Sequence, residues 1–245
     1  MHPTRLAAFT MLFALAGAPA PAAAHDIQAK PDANVPSAFD ITHAAATTDG
    51  RLATFLMEVT GQAGAQKPVS LGKLAGAKVE AYVWPTKLDP SAVGFAKGSG
   101  ILALAVTAHP DFDDTPLFDE NGDGDPGNDG AGWHAHWVVL GEDKGCGAGL
   151  KVRDISPGRE VLPPTAPGLP IALDSPGMSP LLKGRSVRIT VPVARAENAH
   201  FDAVTAELQV NANGKTPLLC VTGTHKVASG NLSMPGTIVL KANAR

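Results

Sequence analysis

The sequence lacks the features that mark several common classes of protein. Basic residues do not exceed acidic ones, since 20 Lys and Arg against 23 Asp and Glu give a formal net charge of −3. Nucleic acid and anionic membrane surfaces, which select a basic face, are therefore not expected partners. Aromatic residues make up 5% of the chain, with Tyr82 the single tyrosine, which argues against a carbohydrate site built on stacked rings.

Long apolar runs and catalytic signatures are missing as well. After the first residues, no run approaches the roughly 20 apolar residues of a membrane-spanning helix, so we expect no membrane insertion. The sequence contains no G-x-S-x-G elbow, P-loop, H-E-x-x-H or dinucleotide fingerprint. An enzyme is therefore less expected than a binding protein, although spatially assembled sites leave no such signature.

The first residues have the pattern of a secretory signal. Arg5 precedes an apolar run over residues 6–18, and a small-residue stretch ends in Ala22-Ala23-Ala24. This order is typical of a signal peptide. We predict a signal over 1–24, cleaved after Ala24 or alternatively after Ala22, and a periplasmic or secreted protein. Residues 25–245 are predicted to form a single domain, with His25 at its N-terminus in the first case.

Glycine and proline divide the remaining chain into short apolar segments. There are 26 Gly and 21 Pro, and the segments between them have the length and composition of strands. Some, such as 186–193 and 203–211, alternate apolar and polar residues with period two, which indicates strands with one buried face. We predict an all-β fold, an antiparallel β-sandwich or jelly roll with long Pro/Gly-rich loops. Pro192 predicts an edge position for its strand, and 156–180 is predicted to be an irregular surface connection. The predicted strands are 52–59, 77–84, 101–108, 133–140, 150–155, 186–193, 203–211, 218–221 and 237–240.

The chain has two cysteines, Cys146 and Cys220. In an oxidising compartment, two cysteines are most simply read as one disulfide bond. The alternative is a pair of thiolates that bind a metal ion.

An acidic stretch is the sharpest local motif. The run from Asp119 to Asp125 reads D-E-N-G-D-G-D, which resembles the first half of an EF-hand or dockerin-type calcium loop. The resemblance implies Asp119, Asn121 and Asp123 as calcium ligands and Gly124 as the turn glycine. The pattern departs at its last ligand position, which is Gly130 in place of glutamate. The remaining oxygen ligands are predicted to come from these carboxylates: Asp125, Asp129, Asp111, Asp113 or Asp114. The alternative is a solvated acidic turn without an ion.

Histidines form a second candidate metal site. His134 and His136 are two residues apart at the start of a predicted strand, so both point to the same face. His109 ends the strand before the acidic run, and a hairpin that pairs 109 with 134 or 136 would put all three imidazoles on one face. A shift by one residue would turn His109 away. Three imidazoles can bind Zn²⁺ or Cu²⁺, whereas the alternative is a polar surface strand.

Two further resemblances depend on single features. An N-terminal His25 resembles the histidine brace of CopC-type copper proteins and lytic polysaccharide monooxygenases, which implies copper bound by its amine and ring. The His134-x-His136 pair resembles the pair found on cupin strands, but Glu142 lies slightly too far along the chain for the usual cupin carboxylate. No second cupin motif follows.

The sequence thus predicts an exported metal-binding protein, a copper or zinc carrier or buffer with a calcium loop. One alternative is a metal-dependent enzyme that uses the same histidines and keeps an open coordination position. The other is an adhesion or structural β module in which calcium stiffens a loop.

Overall fold

The computed structural model describes residues 25–115, 117–119, 123–126, 129–156 and 158–241. The predicted signal peptide over 1–24 lies outside the described residues, as does Asn121 of the predicted calcium loop. Among the described residues, no helix is long and apolar enough to cross a membrane.

The described residues are almost entirely strand and loop. Two short 3₁₀ turns occur, at Pro90–Val93 and Asp129–Ala131. The strands, in chain order, are β1 Ile27–Gln28, β2 Ile41–Thr48, β3 Leu52–Val59, β4 Lys78–Pro85, β5 Ile101–Ala108, β6 His134–Glu142, β7 Leu150–Val152, β8 Leu173–Asp174, β9 Leu181–Lys183, β10 Ser186–Pro192, β11 His200–Phe201, β12 Val204–Val210, β13 Leu219–Val227, β14 Gly236–Thr237 and β15 Val239–Leu240.

The strands form a closed barrel, an open sheet and the separate antiparallel pair β11–β14. The barrel order is β5-β4-β12-β13-β7-β6, and β6 pairs back with β5 to close the ring. Strand β8 joins the flank of β6 beside β7. The open sheet has the order β1-β2-β3-β10-β9, with β15 added parallel to β2. Because every pairing in the barrel is antiparallel, the predicted all-β, antiparallel class is confirmed.

Strand alternation produces two separate cores. On β5 and β6, Leu104 and Trp137 face the open sheet, where they join the core that contains Phe55. Their chain neighbours Ala105 and Val138 point the other way, into the barrel. Successive side chains of a strand point to opposite faces, so the odd positions of β5 and the even positions of β6 line the barrel interior. The histidines of β6 therefore point inward.

The sequence located most of the strands and missed some. The predictions for 52–59 and 101–108 match β3 and β5. Strand β2 was missed because its sequence, I-T-H-A-A-A-T-T, has little β-branched apolar content. The prediction that the strand of Pro192 lies at a sheet edge is wrong for the strand as a whole, because β10 lies between β3 and β9. Since β9 pairs only with Ser186 to Arg188, the flank at Pro192 has no pairing strand among the described residues.

The prediction for 156–180 is partly wrong. This segment contains β8, which pairs with β6, and Ile171 to Ser175 are buried. Its prolines limit regular strand pairing to a short stretch, and that stretch is buried and paired with the barrel strand β6.

The predicted disulfide is confirmed. Cys146 and Cys220 are bonded, with their Cα atoms 5.3 Å apart. The bond joins the β6–β7 connection to β13, and no free cysteine exists among the described residues. A thiolate pair is therefore excluded as a metal site.

Candidate metal centre

The pairing of β5 with β6 brings three imidazoles together inside one end of the barrel. Thr107 lies opposite His134, and Ala105 lies opposite His136. His109 follows one residue after β5 and donates its backbone N–H to Gly130 O at 2.7 Å. The register differs by two residues from a pairing of 109 with 134. An even shift preserves the face of the strand, so His109 still points toward the other two rings.

A carboxylate completes the group, which we call the His/Asp cluster: His109, Asp114, His134 and His136. Asp114 Oδ1 lies 3.2 Å from Nε2 of His109, 3.2 Å from Nε2 of His134 and 3.3 Å from Nε2 of His136. The Nε2 atoms of His109 and His134 are 2.8 Å apart. All four donor atoms lie within 4.8 Å of one another, and all four residues are buried.

Backbone carbonyls set the orientation of two of the imidazoles. His109 Nδ1 lies 2.9 Å from Phe112 O, and His134 Nδ1 lies 3.1 Å from Gly132 O. A carbonyl only accepts hydrogen bonds, so both Nδ1 atoms carry the hydrogen. Each Nε2 therefore presents a lone pair to the centre of the cluster when the ring is neutral.

A serine hydroxyl sets the orientation of the third imidazole, that of His136. Ser175 Oγ donates to Asp114 O at 2.7 Å, so its lone pair is left to accept the hydrogen of His136 Nδ1 at 2.9 Å. The same hydroxyl thus orients His136 and holds the backbone of Asp114. Outer contacts of this kind fix the tautomer and direction of histidines that bind metals.

Two of the four converging atoms lack hydrogen-bond partners among the described residues. Asp114 Oδ1 and His136 Nε2 are buried and form no hydrogen bond among the described residues. Burial without a partner costs about 1–3 kcal/mol per polar group. A tetrahedral ion with bonds of about 2.0 Å holds its donors about 3.3 Å apart. Four of the six separations between the donor atoms are 2.8–3.3 Å, and all six are within 4.8 Å, so the four residues are within reach of one ion.

The electrostatics of the cluster favour donors that are free of protons. Burial lowers the pKa of His136 to about 3. Burial alone would raise the pKa of Asp114, but the charges of His109 and His136 hold it well below its usual range. Burial opposes protonation of His109 too, but the charge of Asp114 and the hydrogen bonds to Asp114 and Phe112 O together raise the pKa of His109.

The backbone around His109 explains a glycine in the sequence. A Cβ atom at Gly130 would collide with Phe112 O and would also approach His109 O and Nδ1. The Phe112 ring stacks on His109 with centroids 4.0 Å apart. Gly130, which departs from the calcium-loop pattern, is therefore in a position where the chain passes close to the His/Asp cluster.

Two residues of the site were not assigned to it from the sequence. Asp114 was considered only as a calcium ligand, and the structure places its side chain among the imidazoles. Ser175 lies in the segment predicted to be irregular. The nearness of Asp114 to His109 along the chain is a usable signal, whereas nothing local marks Ser175.

The carboxylates of the predicted calcium loop lie outside the His/Asp cluster. Asp119, Asp123 and Asp125 are exposed, whereas Asp129 is buried. Asp119 accepts from the backbone N–H groups of Asp123 at 3.2 Å and Gly124 at 2.7 Å. Asp123 accepts from Asp125 N at 2.9 Å. Calcium binding by this loop stays a prediction.

The other candidate calcium ligands have different roles. Asp111 accepts from the backbone N–H groups of Leu71 and Gly72 at 2.7 Å. Asp113 accepts from Thr115 N at 2.6 Å and from Asp129 N at 3.2 Å. These contacts tie the connection after His109 to neighbouring loops and thereby help to place Asp114.

His25 does not join the His/Asp cluster. It is exposed, and its carbonyl accepts from Thr237 N at 2.9 Å. It precedes β1, and it is not among the residues whose donor atoms converge. Whether it is a mature N-terminus stays a prediction.

Among the described residues, the His/Asp cluster is the group that brings three or more His, Cys, Asp or Glu donors within reach of one ion. The chain matches no protein-family model, no curated protein and no solved structure. The geometry of the His/Asp cluster is therefore what indicates its chemistry.

Proposed function

We propose that the chain is an exported transition-metal-binding protein that holds one ion between His109, Asp114, His134 and His136. The observation that carries the proposal is the convergence of three Nε2 atoms on one carboxylate oxygen, with each Nδ1 facing an acceptor. An arrangement without an ion leaves buried donors unsatisfied.

Zinc is the metal that we propose first, with copper as its competitor. Three nitrogen donors and one oxygen donor suit both ions. The four separations of 2.8–3.3 Å that involve Asp114 or join His109 to His134 are close to the donor spacing of a tetrahedral arrangement, which zinc prefers. Copper(II) prefers a square-planar or tetragonal arrangement.

The proposed role is that of a carrier or buffer in an oxidising compartment. The N-terminal sequence supports export, and the Cys146–Cys220 disulfide supports an oxidising environment. Four protein donors fill the shell of a tetrahedral ion, which favours retention of the ion. The side chains of the three histidines are 1% exposed, so release requires local opening or protonation.

Elemental analysis of the purified full-length chain tests the proposal. We expect about one equivalent of zinc or copper in the unaltered protein and none in His134→Ala/His136→Ala. His25→Ala/His200→Ala, which alters two exposed histidines outside the cluster, is the matched control and should keep its metal. An unchanged metal content in the first double variant would refute the assignment.

A further inference from the structure

The barrel encloses a cavity of about 210 Å³ that borders the His/Asp cluster. Its walls come from all six barrel strands and are mainly aliphatic, with Val79, Val138 and Leu208 among them. Protein interiors are normally packed to crystal-like density with few voids larger than a water molecule. A cavity of this size therefore needs an explanation.

Small side chains create the space. Ala206, Ala81 and Thr107 lie in one cross-strand row that ends at His134. Ala105 lies directly opposite His136. The three alanines all line the cavity, and a leucine at any of them would project into it. The space is therefore located beside the cluster.

One end of the cavity is the metal centre itself. His109, Asp114 and His136 line the cavity, whereas His134 does not. The two orphaned atoms, Asp114 Oδ1 and His136 Nε2, belong to residues that line it. An ion in the cluster would thus be reached from inside the barrel.

The other lining residues include an exposed set that marks a mouth. Lys87, Thr224 and Leu232 line the cavity and are exposed. Leu232 and Met234 both have left-handed backbone conformations, with φ of 56° and 54°, which side chains with a Cβ adopt at a cost. The strained loop directs an aliphatic side chain to the entrance.

We propose that the cavity binds a small apolar monocarboxylate of about one aromatic ring, with its carboxylate directed toward the metal ion. A cavity of about 150 Å³ in another protein accommodates benzene, so 210 Å³ suits a ring with one small substituent. This inference depends on the proposed metal site. A divalent ion with one carboxylate and three neutral imidazoles keeps a net positive charge, which favours an anionic oxygen in a site of low dielectric constant.

The apolar walls and the charged end together define the selectivity. An anion without a ring leaves the walls without contacts, and a ring without charge leaves the net positive charge of the centre uncompensated. Zinc accepts a fifth ligand, so a carboxylate can bind without displacing a protein donor.

Calorimetric titration of the full-length, zinc-loaded protein tests the proposal with three probes: benzoate, acetate and benzyl alcohol. We expect benzoate to bind at least about tenfold more tightly than either other probe. Removal of zinc should weaken benzoate binding by a similar factor. Equal binding of benzoate with and without zinc would overturn the proposal.

A filling variant locates the binding site. Ala105→Leu should keep its zinc and lose benzoate affinity by at least about tenfold, and Ala81→Val is a milder second variant if the first does not fold. The matched control is Ala92→Leu at an exposed position outside the barrel. Absence of both zinc and copper from the unaltered protein would refute the metal site. Bound zinc without benzoate binding, or unchanged binding in both filling variants, would refute only this inference.

Discussion

The His/Asp cluster and the acidic loop over 119–125 contain similar ligand atoms in opposite surroundings. The cluster takes its four donors from separate positions between His109 and His136, and all are buried. The loop carries its carboxylates within one short run of the sequence. The described ones, Asp119, Asp123 and Asp125, are exposed. A dense run of carboxylates in the sequence therefore does not by itself bring ligand atoms together in space.

The difference has a physical cause. In the loop, backbone N–H groups a few residues away satisfy Asp119 and Asp123, as is common for aspartate in turns. In the cluster, hydrogen bonds at Nδ1 fix the rings and leave Nε2 directed at Asp114. Burial makes those remaining donors costly without an ion.

The largest effect should come from the carboxylate of the cluster. Asp114→Asn removes a charged donor, and we expect zinc affinity to fall by at least about 100-fold, since outer-shell changes alone cost 10–100-fold. Competition with a zinc chelator measures the change. Asp123→Asn in the acidic loop is the matched control, and an equal loss in both variants would remove the contrast between the two regions.

The hydroxyl behind His136 should have the next largest effect. Ser175→Ala removes the acceptor of His136 Nδ1 and a donor to Asp114 O. We expect zinc affinity to fall by about 10–100-fold in the same chelator competition. Ser233→Ala, at an exposed position, should leave the affinity unchanged. Unaltered affinity in Ser175→Ala would show that the ring is oriented without it.

Low pH should destabilise the zinc-free protein, because residues of the His/Asp cluster have shifted pKa values. The pKa of His136 is lowered from 6.5 to about 3 by burial, so between these values the unfolded chain holds more protons than the folded one. The free energy of unfolding should therefore decrease as pH falls from 6.5 toward 3. The lowered pKa of Asp114 acts in the same direction below pH 3.8. The raised pKa of His109 acts oppositely, giving stability that is lost as pH rises above 6.5.

Urea denaturation at several pH values measures this dependence. His136→Asn removes the buried titrating ring, so its stability should change less over the same pH interval. A zinc-free protein whose stability is constant between pH 6.5 and 4 would contradict the burial of a neutral His136.

A substitution at Gly130, where the backbone passes close to Phe112, should have a smaller effect, on the stability of the fold. Gly130→Ala introduces a Cβ against Phe112 O, and overpacking of this kind costs about 1–3 kcal/mol. Denaturant unfolding measures the loss. Gly223→Ala is the control, because its Cβ would meet nothing within 4 Å. Equal stability of the two variants would show that the contact relaxes freely.

The smallest effect is expected from calcium at the acidic loop. Sites of extracellular modules have dissociation constants near 10⁻⁴–10⁻³ M, so 1 mM Ca²⁺ would stabilise by about 0.4–1.4 kcal/mol. Thermal unfolding with and without Ca²⁺ measures this, and Asp119→Asn/Asp123→Asn should abolish it. No uptake in calorimetry and no shift in melting temperature would leave a solvated turn.

Individual residues show which parts of the site could be predicted from the sequence. The face shared by His134 and His136 follows from period-two alternation, and the place of His109 follows from the hairpin up to an even shift in register. Asp114 and Ser175 could not be assigned in this way. Their positions depend on where two long connections cross the barrel end, and those paths are set by contacts distant in sequence.

The sequence by itself determined most of the strands, the shared face of His134 and His136 and the pairing of the two cysteines, because alternation and residue chemistry act locally. Only the tertiary structure decided that one sheet closes into a barrel, that Asp114 joins the imidazoles and that alanines leave a cavity beside them. Closure and convergence depend on pairing between distant strands, and no local pattern of residues specifies that pairing.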